Sequence, residues 1–262
     1  MIDPQSSAEI LLGQQPPWFV VSARVGAAIE GSAFVPGTPW AKSGAALRIF
    51  KFPEPRVGEL LLGTCFPARC PERHIQYDET FCLGLRYITV KDAEDARQWW
   101  EQLHQFLRLQ GVAELTGIWP PNHALDHGDA GKFHEQAIAI ASELGILEEF
   151  EAARLNEPSW ITDPNLRLLG KKGEPINGRA SCPRGCRDRC MVKGKRSRPM
   201  LRRNCVHRAQ LLELVALERK RRVALVEYWS RTRAQGIQCC GKMRSCELRE
   251  QTYKSTGKVS SN

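Results

Sequence analysis

Alternating apolar and polar positions in the first ninety residues predict short β-strands. The stretches WFVVSARV (18–25) and ALRIFKF (46–52) are rich in β-branched and aromatic residues, and GELLLGTCF (58–66) follows a Pro-Glu-Pro-Arg turn. Short strands with short connections tend to pair with their neighbours along the chain. The pattern therefore predicts an antiparallel meander.

Beyond residue 90 the apolar positions recur every three or four residues, which indicates helices. In DAEDARQWWEQLHQFLRLQ (92–110) Asp92 is placed to cap the helix and Gly111 to end it. A proline-broken loop, GIWPPNHALDHG (117–128), follows. One amphipathic helix is therefore predicted between the strands and this loop.

Two more helices are predicted after that loop. The first runs from about Asp129 to a stop at Gly145, and a shorter one covers ILEEFEAARL (146–155). Strands first and helices afterwards are typical of the α+β class. We expect such a domain to span residues 1–155.

Charge divides the chain more sharply than hydropathy does. Of the 262 residues, 1–160 hold 13 basic and 21 acidic side chains, a net charge of −8, whereas 161–262 hold 25 and 8, a net charge of +17. Seven of the ten cysteines also lie in the last third. An acidic body thus carries a basic, cysteine-rich C-terminal region.

Composition divides the C-terminal region further. Residues 156–180 are rich in Pro, Gly and Asn and are predicted to be a linker. Residues 181–250 are predicted to form a small, mainly helical cysteine-rich module, with a long basic helix over about 207–234, and residues 251–262 to be disordered. The sequence has no membrane-spanning apolar run and no signal-peptide pattern, so a cytoplasmic location with reduced thiols is expected.

One stretch, RHIQYDETFCLGLRY (73–87), contains a candidate nucleophile, Cys82. Its apolar neighbours favour a buried core thiol, which is a common state of cysteine. The polar turn QYDET before it and Gly84 after it instead favour a place at the surface, and the cations Arg73 and His74 favour the thiolate.

The same stretch resembles the active-site segment of ubiquitin-conjugating enzymes (the E-two carriers). In bacterial members the pattern reads Arg-His-Ile-Asn-x-Asp-Gly-x-Phe-Cys-Leu-Gly-Leu, and the chain matches it at Arg73, His74, Ile75, Asp78, Phe81, Cys82, Leu83, Gly84 and Leu85. A Trp-Trp helix and a Trp-Pro-Pro…His-Gly loop follow, as in that family. The resemblance covers roughly residues 15–155 and implies the conjugating-enzyme fold, a meander with flanking helices, for the domain 1–155.

Four positions bear on the site that the resemblance implies. The asparagine that assists the oxyanion in the wider family is absent: His74 occupies that position without gaps, and Gln76 stands where the bacterial pattern has asparagine. Both are candidate hydrogen-bond donors. Glu79 replaces a loop glycine, and His127, followed by glycine, resembles the family's loop beside the cysteine cleft.

The resemblance implies carrier chemistry for Cys82. Its thiolate attacks the thioester that joins a ubiquitin-like modifier to an activating enzyme, and an amine of a target protein then takes the modifier. Related proteins belong to bacterial conjugation operons, some of which defend against phage. The alternatives are an inactive carrier fold that serves as a zinc-dependent nucleic-acid or partner-binding adaptor, and a Cys-His hydrolase.

Four cysteines of the C-terminal module are candidate zinc ligands: Cys182, Cys186, Cys190 and Cys205. Four thiolates suit tetrahedral zinc, and metal binding supplies folding free energy to a segment without a core. The competing ligands are His207, Cys239, Cys240 and Cys246, so that two zinc sites are an alternative. An iron–sulfur cluster and unbound thiols are further alternatives.

A basic run, KGKRSRPMLRR (193–203), holds six basic residues and no acidic one. It is expected to be a solvated charged surface, or to bind either nucleic-acid phosphates or an acidic protein. No motif that reads bases is present, so sequence-specific DNA binding is not expected.

Overall fold

The computed structural model describes residues 3–170, 172–176, 178, 180–185, 200–201 and 203–249. Its contacts divide the chain into two compact units. The first unit comprises Met1–Phe81, Thr89–Trp119 and Thr232–Asn262, and the second comprises Cys82–Ile88 and Pro120–Arg231. Across the described ranges, no helix combines the length and the apolar character needed to cross a membrane.

The sheet of the first unit has four strands: β1 (Phe19–Val25), β2 (Ala28–Ala33), β3 (Ala45–Phe50) and β4 (Arg56–Glu59). They pair antiparallel in chain order, so the predicted meander and the α+β class are confirmed. Burial alternates along β2 and β3, because successive side chains point to opposite faces. The sequence did not predict β2. The third predicted strand, 58–66, is wrong over most of its length, because β4 overlaps it only at Gly58 and Glu59 and residues 60–66 form bends and turns.

Two helices belong to the first unit: α1 (Pro4–Gly13), which the sequence did not predict, and α2 (Ala93–Thr116). The Asp92 side chain accepts from two backbone N–H groups, so the predicted cap is confirmed. The predicted stop at Gly111 is wrong, because α2 continues to Gly117, where φ is 70°. Gly111 instead allows close packing: a Cβ there would lie 3.0 Å from Thr38 Cγ2.

The second unit contains α3 (Asp129–Leu144), α4 (Leu147–Arg154) and most of α5 (Arg208–Ala234). These helices and the predicted stop at Gly145, with φ 72°, are confirmed. Their apolar faces share one core. The stretch predicted to be a linker contributes to that core with Trp160, Ile161, Leu166, Leu168 and Leu169.

Parts of the predicted C-terminal organisation lie outside the described residues. They include most of the basic run at 193–203 and the whole of the predicted disordered tail, 251–262. The predicted domain boundaries stay predictions.

Candidate active site

A short hairpin precedes Cys82 in the chain. Ile75 pairs antiparallel with Phe81, the Gln76 N–H donates to the Thr80 carbonyl at 2.8 Å, and the Glu79 N–H donates to the Gln76 carbonyl at 3.1 Å. The polar turn QYDET is therefore a true turn. We call residues 75–81 the active-site hairpin.

The active-site hairpin is attached to the sheet through β4. The Phe81 N–H donates to the Val57 carbonyl at 2.8 Å, and Gly58 pairs antiparallel with Thr80. Gly58 is needed here because a Cβ at that position would lie 2.9 Å from the Glu79 carbonyl oxygen. The last residue before Cys82 is thus fixed to the sheet by backbone hydrogen bonding.

A buried arginine holds the other end of the active-site hairpin against α2. Arg73 is fully buried at the end of a 3₁₀ turn, Pro71–Arg73. Its Nε donates to Gln110 Oε1 at 2.8 Å, its Nη1 to Glu114 Oε2 at 2.6 Å, and its Nη2 to the Gln110 carbonyl at 3.2 Å. This role of Arg73 was not predicted from the sequence, although Gln110 and Glu114 are four residues apart on one helix face.

His74 and Gln76 occupy different environments in the first unit. His74 has a left-handed backbone (φ 54°), is only 3 % exposed, and its ring lies 4.7 Å from that of Trp119. These features suit a packing role. Gln76 is half-buried at the start of the turn. Gln76 is therefore more accessible to solvent than His74.

Cys82 begins the short segment of the chain that belongs to the second unit. Its thiol is half-buried, and the sulfur lies 3.6 Å from the Gly84 carbonyl oxygen. The segment packs on α3: Arg86 pairs with Glu135, and a Cβ at Gly131 would lie 3.4 Å from Leu85. The sulfur is thus neither sealed in a core nor on a flexible tail.

His127 also belongs to the second unit, whereas His74 and Gln76 belong to the first. Its ring stacks on Tyr228 with centroids 4.9 Å apart and meets the edge of Trp229 at 5.3 Å. Burial lowers the pKa of His127 to about 4, although the nearby Asp126 carboxylate opposes the shift. The imidazole is therefore neutral at pH 7 and a weak base.

A buried ion-pair network fixes the loop that carries His127. Asp126 Oδ1 lies 2.7 Å from Arg221 Nη1, Asp126 Oδ2 lies 2.8 Å from His134 Nδ1, and Arg221 also pairs with Glu218. Burial alone would raise the pKa of Asp126, but His134 and Arg221 together hold it below its usual value. The role of Arg221 was not predicted from the sequence, because its partner Asp126 is 95 positions away.

The structure describes two of the four predicted zinc ligands. Cys182 and Cys205 are half-buried against the core of the second unit, and Cys186 and Cys190 lie outside the described residues. Ser181 pairs antiparallel with Met200, so the described residues on either side of 186–199 lie next to each other. Where the chain is described, no three His, Cys, Asp or Glu side chains already stand in metal-binding geometry.

Comparison with protein families matches both halves of the chain. A family described as a prokaryotic E2 domain matches residues 19–121, which include the active-site hairpin and Cys82. A family described as a cysteine-rich domain, C-terminal to the E2 domain, matches residues 126–248. Searches of curated proteins and of solved structures each found no match. The two matches together identify a bacterial E2-like protein with a cysteine-rich C-terminal extension.

Proposed function

We propose that the protein accepts a ubiquitin-like modifier as a thioester on Cys82 and transfers it to an amine of a target protein. The observation that carries this proposal is the position of the sulfur, half-buried and directly after a hairpin fixed to the sheet. The family match supports an E2-type carrier role with a modifier and an activating enzyme as partners.

The proposed reaction has two acyl transfers. The Cys82 thiolate attacks the thioester carbonyl on the activating enzyme, and that enzyme's thiolate leaves. The target amine then attacks the new thioester, loses a proton, and expels the Cys82 thiolate. Each step passes through a tetrahedral oxyanion, which hydrogen-bond donors stabilise. No resident cofactor takes part.

Gln76 and His127 are the side chains that we assign to this reaction, with His74 as a supporting residue. The Gln76 amide replaces the family's asparagine as oxyanion donor. Because the pKa of His127 is about 4, it suits a neutral hydrogen-bonding role better than that of a general base. His74 packs against Trp119 and holds the start of the active-site hairpin.

The test is reconstitution with the cognate activating enzyme, ATP and modifier. The wild-type protein is expected to form an adduct that DTT cleaves, and Cys82→Ser and Cys82→Ala are expected to form no such adduct. Cys65→Ser is the matched control, because Cys65 is also half-buried but lies in the first unit. An adduct that DTT still cleaves in Cys82→Ala would refute the assignment.

The cysteine-rich region is proposed to hold a structural zinc through Cys182, Cys186, Cys190 and Cys205. Zinc would organise the residues between Ser181 and Met200, which pair with each other. We further propose that the protein works in the cytoplasm, within a conjugation system of the antiphage kind. There its thiols stay reduced.

The net charge of +17 over residues 161–262 favours one second function, an adaptor that binds nucleic acid or an acidic partner without acyl transfer. It predicts binding to DNA that weakens steeply with salt, because each neutralised phosphate releases counterions. If no adduct forms in the reconstitution while such binding occurs, the adaptor function replaces the carrier. Turnover of an activated ester without any activating enzyme would instead identify a hydrolase.

A further inference from the structure

Four cysteines outside the predicted zinc cluster form two contacting pairs in the first unit. Cys70 lies just before the 3₁₀ turn that leads into the active-site hairpin, and Cys239, Cys240 and Cys246 lie in the segment after α5. The sulfur atoms of Cys70 and Cys240 are 3.2 Å apart. Cys239 and Cys246 form a second contacting pair, and the two pairs are neighbours because Cys239 and Cys240 are consecutive in the chain.

Backbone N–H groups point at these sulfurs. Gly241 N–H donates to Cys239 Sγ at 3.4 Å, and the amides of Lys242 and Met243 donate to Cys240. The amide of Leu248 likewise donates to Cys246. Such donors stabilise a thiolate over a thiol, and tight turns with N–H groups aimed at sulfur suit metal-bound cysteine.

The segment that carries three of these cysteines has little else to hold it. Of its apolar side chains, Met243 and Leu248 are buried. Its other attachments include the exposed pair of Lys242 with Glu114, at 2.8 Å, and the Arg244 N–H to the Gly117 carbonyl, at 2.7 Å. Exposed ion pairs stabilise a fold by at most about 1 kcal/mol each. A metal would supply the missing free energy of folding.

We propose that Cys70, Cys239, Cys240 and Cys246 bind one structural Zn²⁺, which fastens the segment after α5 to the loop that leads into the active-site hairpin. Zinc displaces the remaining thiol protons, which pass to solvent. In a tetrahedral zinc site with Zn–S bonds of about 2.3 Å, the sulfurs stand about 3.8 Å apart. The 3.2 Å contact is shorter, so the Cys70 and Cys240 side chains rotate apart when the metal enters.

This ligand set shares no residue with the predicted set Cys182, Cys186, Cys190 and Cys205. The number of zinc ions bound per chain in selected variants therefore distinguishes the two sites. Full-length protein purified under reducing conditions is analysed for zinc per chain by mass spectrometry. Cys70→Ser and Cys240→Ser are expected to lose one equivalent. Cys65→Ser, in the same unit but outside the cluster, is expected to lose none.

A second measurement keeps the proposal testable if Cys70→Ser and Cys240→Ser fail to fold. The double variant Cys182→Ser/Cys205→Ser removes two predicted ligands of the other cluster and leaves this one complete. It is expected to retain one zinc whose X-ray absorption fits four sulfurs at about 2.3 Å. Absence of that zinc, an unchanged zinc content in soluble Cys70→Ser, or a Cys70–Cys240 disulfide in the reduced preparation would overturn the proposal. None of these outcomes bears on thioester formation at Cys82, so the two proposals fail separately.

Discussion

Glu79 adopts a left-handed backbone, with φ 64°, at the position where the bacterial pattern has glycine. Such a conformation costs a residue with a Cβ about 1 kcal/mol. The structure offsets this cost through Arg69, whose Nε donates to Glu79 Oε1 at 2.9 Å and whose backbone N–H donates to Oε2 at 3.0 Å. Glu79 thus holds a left-handed backbone conformation that usually favours glycine.

Gln76 is expected to matter for transfer rather than for loading. Gln76→Ala should slow discharge of the thioester to free lysine by about 10²–10³-fold, because one oxyanion donor is lost, and Gln76→Asn should restore part of the rate. Single-turnover discharge from preloaded protein measures this. His74→Ala should instead lower the melting temperature, because its ring packs in the core. Unchanged discharge in Gln76→Ala would remove Gln76 from the site.

His127 makes stability depend on pH. Its folded pKa of about 4 lies below the usual value near 6.5, so the unfolded chain binds the proton more readily. The stabilisation is complete above about pH 6.5 and is lost progressively as pH falls towards 4, by at most about 3 kcal/mol. His127→Phe keeps a ring against Tyr228. Between about pH 6.5 and pH 4, its melting temperature should fall less than that of the wild-type protein.

The matched control for that series is His123→Phe, because His123 is exposed in the same loop. It should keep the wild-type pH dependence. If His127→Phe keeps it as well, the enclosure of the His127 ring by Tyr228 and Trp229 does not set the pKa of the imidazole.

The active-site hairpin and α2 form one structural element through Arg73. A guanidinium makes all three hydrogen bonds to Gln110 and Glu114 at once, and an ammonium at that depth does not. Arg73→Lys should therefore lower the free energy of unfolding by about 2–4 kcal/mol in urea titrations. Arg24→Lys is the control, because its pair with Glu9 is exposed, and should change stability by less than about 1 kcal/mol. Equal effects would contradict the anchoring role.

At the scale of the whole molecule, the proposed zinc would attach Cys70 to the segment after α5, which lies 170 positions further along the chain at Cys240. Removal of zinc by a chelator under reducing conditions should speed tryptic cleavage after Lys242 and Arg244 several-fold, because the segment after α5 then loses its main attachment. Cleavage sites are identified by mass spectrometry, and readdition of zinc should reverse the effect. Equal cleavage rates with and without zinc would show that the other contacts of this segment are enough to hold it.

Local pattern in the sequence was enough for the meander, the cap at Asp92, the stop at Gly145 and the helix α5. These features depend on near neighbours along the chain, so their signals lie within a few residues. The motif around Cys82 was also visible, because its residues are consecutive. Gly111 was wrongly predicted to end α2, because its actual role, close packing against Thr38, depends on a residue that is distant in sequence.

The amino-acid sequence by itself determined the α+β class, the family resemblance and the candidate nucleophile. Tertiary structure decided which side chains act together: Arg73 with Glu114, Asp126 with Arg221, and Cys70 with Cys240. The last pair is separated by 170 positions, and no periodicity or spacing encodes such a meeting. It exists only because burial of the apolar faces brings distant parts of the chain together, which is a property of the packed fold and not of any local stretch.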